Sequence, residues 1–315
     1  MSGESAPRFV PPDYAPPRTA ADDPRIGQLI GRGLAGGAAP RVVIVGFPSD
    51  EGVRRNGGRP GAADAPQPIR RALGRLTPDA RCWEAMAELF ERTLDLGDLE
   101  LTGDLERDQA TLAAVLAPHL RAGAFAIVLG GGHETAYGHF LAHAGLGRTL
   151  SLLNWDAHAD VRPLRDGRGH SGSPFRQALD HPSRACRSYT VVGLQPQALA
   201  DAHLAFLRAR GCRPVWRSRV TLERVGSFYD ELVAPALVSF DLDAVDQAFA
   251  PGVSAPCTGG FGVDVWREAA YHAGRSAAVV GCDIVELNPR HDRDDQTARL
   301  AALTVWEVVR GMAER

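Results

Sequence analysis

Short apolar runs alternate with stretches of helical periodicity from about residue 41 onward. Arg41–Val45, Thr93–Leu96, Phe125–Leu129, Thr149–Asn154, Tyr189–Val192, Ala236–Phe240 and Ala277–Cys282 read as strands. Leu105–Arg121, Gln197–Arg210 and Thr297–Met312 read as helices between them. Near-continuous apolar strands are those buried on both sides, so the alternation predicts an α/β fold: a single domain on a parallel β-sheet with helices on both faces. Ligands bind such sheets beyond the carboxyl ends of the strands. The start of the chain breaks the pattern. Pro7, Pro11, Pro12, Pro16, Pro17 and Pro24 deny it regular structure, so residues 1–39 read as a proline-rich extension to a domain spanning 40–315. Within the extension, Ile26-Gly-Gln-Leu-Ile30 is apolar enough to pack on the body or on a neighbouring subunit.

Two of the apolar runs end in acidic and imidazole side chains. Leu150–Asp160 carries Asp156, His158 and Asp160, and Ala236–Asp243 carries Asp241 and Asp243. Side chains two apart on a strand share a face, so each set is expected to converge at the end of a buried run. Charge there is unfavourable unless paired or bound to metal. His133, from Val128-Leu-Gly-Gly-Gly-His-Glu134, brings the candidate ligands to His133, Asp156, His158, Asp160, Asp241 and Asp243. Carboxylates predominate and none of the motifs contains a cysteine, which favours a hard or borderline divalent ion such as manganese over structural zinc. Six donors exceed one tetrahedral ion and suit two ions roughly 3.5–4 Å apart that share carboxylates. A single D-x-D, or a His after glycines, is usually a cap or a turn, so the argument rests on the set. Gly130, Gly131 and Gly132 lack the Lys and the spacing of a phosphate loop and read as steric, letting the backbone turn and present His133. The absence of a G-x-S-x-G elbow speaks against a serine hydrolase.

Composition narrows the function classes. The chain has 315 residues and a formal charge of −3, without the basic excess that phosphate binding requires, so no nucleic acid is expected as a partner. Five scattered cysteines without C-x-x-C spacing fit reduced thiols in a cytoplasmic protein. No run approaches the length of a membrane span, and the N-terminus does not read as a signal peptide, so no membrane partner is expected.

Gly130-Gly-Gly-His-Glu134, Asp156-Ala-His-Ala-Asp160 and Ser239-Phe-Asp-Leu-Asp-Ala-Val-Asp246 resemble, in order, the three metal-binding signatures of the arginase/agmatinase ureohydrolase superfamily. Gly46–Ala62, Ala250–Pro256, Asp283–Pro289 and Thr297–Ala302 resemble its formimidoylglutamase branch. Ser171-Gly-Ser-Pro-Phe175 has Ser where arginases and agmatinases have His, with His170 one residue earlier, which also suits that branch. The resemblance implies an arginase-like domain holding two Mn2+ ions per subunit. His133, Asp156, Asp160 and Asp241 would hold one, and Asp156, His158, Asp241 and Asp243 the other, with Asp156 and Asp241 bridging. It further implies Asp160 as the catalytic proton shuttle to the leaving amine, and Glu286 as the catalytic and substrate-binding partner of a cationic formimino group. The implied reaction converts N-formimidoyl-L-glutamate and water to L-glutamate and formamide, in histidine degradation. The alternatives are an agmatinase, a guanidinobutyrase or another guanidine ureohydrolase and, from another class, a non-catalytic metal-stabilised scaffold. The family also implies a homo-oligomer, trimer or hexamer.

A small amidine with two carboxylates needs cationic anchors. The loop Asp50–Arg59 follows the first strand and concentrates Arg beside Gly and Asn, so Arg54, Arg55 and Arg59 are expected to clamp the carboxylates, with Asn56 and Ser171 also binding substrate. Arg162 and Arg176 are competing anchors. Asp246 reads as either a positioning carboxylate or a turn residue, and Trp155 as packing on the far face of its strand. His119, His139, His143, His181, His203, His272 and His291 read as structural or solvated.

Overall fold

In the computed structural model, residues 6–14, 22–30, 34 and 39–315 are described. Pro16 and Pro17 lie outside them. The elements, in chain order, are β1 (Phe9–Val10), α1 (Ile26–Ile30), β2 (Val42–Phe47), α2 (Glu51–Asn56), α3 (Pro66–Gly74), α4 (Trp83–Glu91), β3 (Thr93–Leu99), α5 (Leu105–Arg121), β4 (Phe125–Gly130), α6 (Thr135–Ala144) and β5 (Leu150–Trp155). They continue as α7 (Pro174–Asp180), β6 (Cys186–Leu194), α8 (Asp201–Ala209), β7 (Arg213–Trp216), α9 (Val225–Asp230), β8 (Ala236–Asp241), α10 (Val263–Arg275), β9 (Val279–Val285) and α11 (Gln296–Ala313).

One sheet runs in the order β1-β3-β2-β4-β9-β8-β5-β6-β7, parallel throughout except for β1. The period of two sorts the strand residues between the two faces of the sheet. Val42 and Ile44 of β2 and Phe125, Ile127 and Leu129 of β4 join the core formed with α1, α3, α4, α10 and α11. Val43, Val45 and Phe47, with Ala126 and Val128, face α5 on the other side. Strands buried on both faces explain why β2 and β4 read as unbroken apolar runs and β5 and β8 as largely apolar ones.

Two strands escape the sequence pattern. Both are edges of the sheet. β1 lies within the proline-rich extension, pairing Phe9 with Leu99 in antiparallel register, and β7 contains Pro214. Proline is tolerated at an edge, where its missing N–H leaves no interior ladder bond unmade. The extension therefore contributes an edge strand and a short helix, α1, whose Ile26 and Leu29 are buried. The expected helix over Gln197–Arg210 is also shorter: a 3-10 turn at Pro196–Ala198 is separated from α8 by Leu199 and Ala200.

Candidate metal centre

The adjacent strands β4, β9, β8 and β5 end at one edge of the sheet, where β4, β8 and β5 deliver the six candidate ligands and β9 delivers Glu286. After β4 the chain passes close to β2, where a Cβ on Gly131 would lie 1.8 Å from the Ser49 carbonyl oxygen. Only glycine fits that approach, and the turn it permits sets His133 over the strand ends. Strand pleating does not group the other ligands as expected. β5 ends at Trp155 and β8 at Asp241, so His158, Asp160 and Asp243 lie beyond them. Local turns do the grouping: Asp156 Oδ1 accepts the His158 N–H at 2.6 Å, and Asp241 Oδ1 accepts the Asp243 N–H at 2.9 Å. Each aspartate thereby folds the chain back and brings residue i+2 alongside itself. Asp160, at φ 45°, and Glu286, at φ 68°, both take left-handed backbone that L-residues rarely adopt, a strain held where the site needs it.

The donors fall into two adjoining sets. One comprises His133, Asp156, Asp160 and Asp241, and the other Asp156, His158 and Asp243. His133 Nδ1 lies 2.8 Å from Asp241 Oδ2, 2.9 Å from Asp160 Oδ2 and 3.4 Å from Asp156 Oδ2, yet makes no hydrogen bond of acceptable geometry. His158 Nδ1 lies 3.3 Å from Asp243 Oδ1, an oxygen that is buried and also without a hydrogen-bond partner. Convergence of donor atoms on a point without hydrogen bonding among them is what a cation-binding cage requires. Asp156 is common to both sets. Asp241 is grouped with the first, while its Oδ1 accepts the Asp243 N–H.

Electrostatics fit the same reading. Asp241 is held well above the ordinary carboxylate range by burial and then by the charges of Asp243 and Asp156, and burial also raises Asp243. His158 is raised well above its usual value by Asp243; for His133, burial opposes the charged form but Asp241 and Asp160 outweigh it. Glu286 is pushed up to about 8 by burial and by Asp243 and Glu134. Packed carboxylates that resist ionising beside one another are the groups a divalent cation relieves.

A polar row missed in the sequence supports the ligands one layer down. Asn154, Ser239 and Asp283 are level across β5, β8 and β9. Asn154 Nδ2 donates to Asp156 Oδ2 at 2.9 Å, His133 Nε2 contacts Ser239 Oγ at 2.9 Å, and Ser239 Oγ donates to Asp283. His139 Nδ1 meets Asp283 Oδ2 at 3.0 Å, so this helical histidine ends the chain of contacts. A polar residue two before a ligand, inside an otherwise apolar run, was the available signal. Glu134 was also missed. Buried and raised to about 7 by desolvation, it accepts the Gly52 N–H and the Ser49 hydroxyl and ties α2 to the metal loop.

A cavity of about 100 Å³ opens onto the ligands and is lined also by Asn56, Arg162, Ser171 and Glu286. The expected arginine clamp is not there. Arg54 pairs with Asp50 at 2.7 Å, and Arg55 pairs with Glu51 and Glu106 and donates to the Gly169 carbonyl. Arg59 donates to the Val253 and Ser254 carbonyls. Their charges hold loops together, since an arginine beside carboxylates and free carbonyls on its own rim satisfies those first. Asn56 donates to Ser171 at 3.2 Å on the cavity wall. His170 is turned to the Pro163 carbonyl, and Asp246 accepts the Ala248 and Gly259 N–H groups as a turn carboxylate. Trp155 is buried away from the site, with Nε1 donating to Tyr229.

An open parallel sheet carrying adjoining carboxylate and imidazole donor sets at its carboxyl edge defines a metal-dependent α/β hydrolase. The chain belongs to the arginase family, whose profile matches residues 40–310. It is 37% identical over 291 residues to the formimidoylglutamase of Rhodococcus jostii strain RHA1, covering 88% of each chain. It is 39% identical over 290 residues to that of Nocardia farcinica strain IFM 10152, covering 87% of this chain and 88% of the relative. Among solved structures, Trypanosoma cruzi formiminoglutamase with Mn2+2 superposes with a TM-score of 0.84 at 30% identity, over 93% of this chain and all of that one.

Proposed function

We propose that the protein is a formimidoylglutamase, a two-manganese hydrolase converting N-formimidoyl-L-glutamate and water into L-glutamate and formamide. The observation that carries the reading is the pair of donor sets sharing Asp156 beneath a cavity that also holds Glu286. The names of the relatives and the manganese of the T. cruzi structure supply the particular reaction and ion. The fit of the ions rests on the buried, unpartnered His133 Nδ1 and Asp243 Oδ1 and on the oxygen-rich donor set.

His133, Asp156, Asp160 and Asp241 would hold one ion, and Asp156, His158 and Asp243, with Asp241 at their edge, the other. When bound, such ions acidify water and polarise the electrophilic carbon. The chain's own groups do the rest. Glu286 accepts the His133 N–H at 2.8 Å through Oε1, leaving Oε2 to pair with the amidinium N–H groups of the substrate. Burial raises the Glu286 carboxyl, and an arriving cation favours its ionised form, so binding and charge pairing are coupled. Asp160 lines the cavity and would carry a proton from the attacking side to the leaving nitrogen. Asn56 and Ser171 offer neutral donors to a carboxylate near the amidine. A cytoplasmic location accords with all five cysteines being free thiols.

The test is a substrate panel on manganese-loaded protein, with formamide, urea and ammonia measured separately. Formamide and glutamate in equal amounts from N-formimidoyl-L-glutamate are expected. Urea from agmatine or guanidinobutyrate at higher kcat/KM would reassign the substrate.

A further inference from the structure

We propose that Arg162 selects a dicarboxylate substrate by binding its distal carboxylate in the outer cavity between Arg162 and His203. This rests on the amidine-hydrolase reading above. Outside the metal cavity lies a second one of about 430 Å³, and His158 and Arg162 line both. In the inner cavity Glu286 is the carboxylate placed to pair with the amidinium, and His158 and Arg162 lead from there to the outer one. A substrate with an amidinium at one end and a carboxylate at the other is therefore oriented with its acid end outward.

Arg162 is built for that position. Its N–H donates to the Gly172 carbonyl at 2.9 Å, and a Cβ on Gly172 would sit 2.8 Å from Arg162 Cδ, so the glycine leaves room for the side chain to lie across it. Its guanidinium has no carboxylate within ion-pairing distance among the described residues; its one hydrogen bond, to Asn56 Oδ1, is long at 3.5 Å. Among the described residues, the other guanidiniums near the mouth are engaged. Arg54 and Arg55 are paired as described, Arg165 donates to the Arg55 carbonyl, and Arg168 pairs with Glu106. Arg176 pairs with Asp180 and stacks on Phe206 at 4.2 Å. His203 and the Gln197 amide complete the outer wall with neutral donors. A planar fork with free N–H groups beside such donors is matched to a carboxylate.

The experiment compares wild type, Arg162→Gln and Arg162→Lys, all manganese-loaded. N-formimidoyl-L-glutamate and N-formimidoyl-L-glutamine, whose distal group is uncharged, serve as substrates. Calorimetric titration with L-glutamate and L-glutamine reads binding alone. Arg162→Gln is expected to lose about ten- to a hundredfold in kcat/KM on the glutamate substrate. Its loss on the glutamine substrate should be at least tenfold smaller, Arg162→Lys should fall between, and metal content should stay at the wild-type level. Equal losses on both substrates, or a loss that tracks metal content, would overturn the proposal. If wild type hydrolyses neither substrate, the proposed reaction fails, while calorimetry still decides the anchor: a preference for L-glutamate abolished in Arg162→Gln supports it, and its persistence refutes it.

Discussion

At the scale of single residues, the site separates groups placed to hold metal from groups that aim them. Asp156 alone belongs to both donor sets, so Asp156→Asn is expected to strip most bound manganese and nearly all activity, whereas His133→Ala should chiefly deplete one of two ions. Elemental analysis of purified variants checks both; two retained ions in Asp156→Asn would exclude a shared ligand. Ser239 and Asp283 belong to neither donor set but fix the ring of His133, Ser239 by contact with its Nε2 and Asp283 by accepting from Ser239. Ser239→Ala and Asp283→Asn should therefore weaken manganese about ten- to a hundredfold, read by competition with a chelating dye, with the fold intact by circular dichroism. Wild-type affinity in both would reduce the row to packing. The convergence of the candidate ligands was legible in the sequence because they cluster at the ends of apolar runs. The clamp was not, because Arg54, Arg55 and Arg59 differ from Arg162 in the neighbours that engage them: Asp50 and Glu51 lie one helical turn away and were not weighed, while Glu106 and the Val253 carbonyl are distant in sequence.

At the scale of elements, the strands that carry the site were readable because burial on both faces leaves an unmistakable apolar run. The edges were not, since an edge strand needs no such run and tolerates proline. Nor was the loop conformation beyond β5 and β8, where an Asx turn and a left-handed residue replace the expected pleat. Helix packing brings in a further contact that sequence periodicity leaves unmarked. Gly274 of α10 and Gly311 of α11 let the two backbones touch: added Cβ atoms would lie 1.8 Å from the Val308 carbonyl oxygen and 2.1 Å from the Tyr271 carbonyl oxygen. Neither backbone can yield without moving its helix. Gly274→Ala should cost about 1–3 kcal/mol, the usual scale of overpacking, with manganese affinity unchanged because the contact is remote from the ligands. Urea unfolding measures the first and metal titration the second; wild-type stability would mean that the helices separate freely.

At the scale of the whole molecule, the metal centre sets stability against function. Folding gathers the carboxylates and two imidazoles into one buried site, and their titration shows the cost. Asp241 and Asp243 are raised above the ordinary carboxylate range, and His133 and His158 above the ordinary imidazole range, while Asp156 is lowered. A group raised in the folded state binds more protons there than in the unfolded chain, so its contribution to stability declines as pH rises from its unfolded value through its folded one. Four of the five groups act in this sense, and Asp156 opposes them. Protein stripped with a chelator should accordingly lose stability as pH rises from about 4 toward neutrality, the window that opens at the unfolded carboxylate value. Manganese reverses the penalty. It displaces the protons, so its affinity rises with pH, and at a concentration a thousandfold above Kd it adds about 4 kcal/mol per site. The difference in Tm between loaded and stripped protein should then widen from pH 5 to pH 8. Differential scanning fluorimetry across that range, with and without chelator, measures it. A difference that stays constant or narrows would mean that the cluster does not carry the protons that its crowding implies.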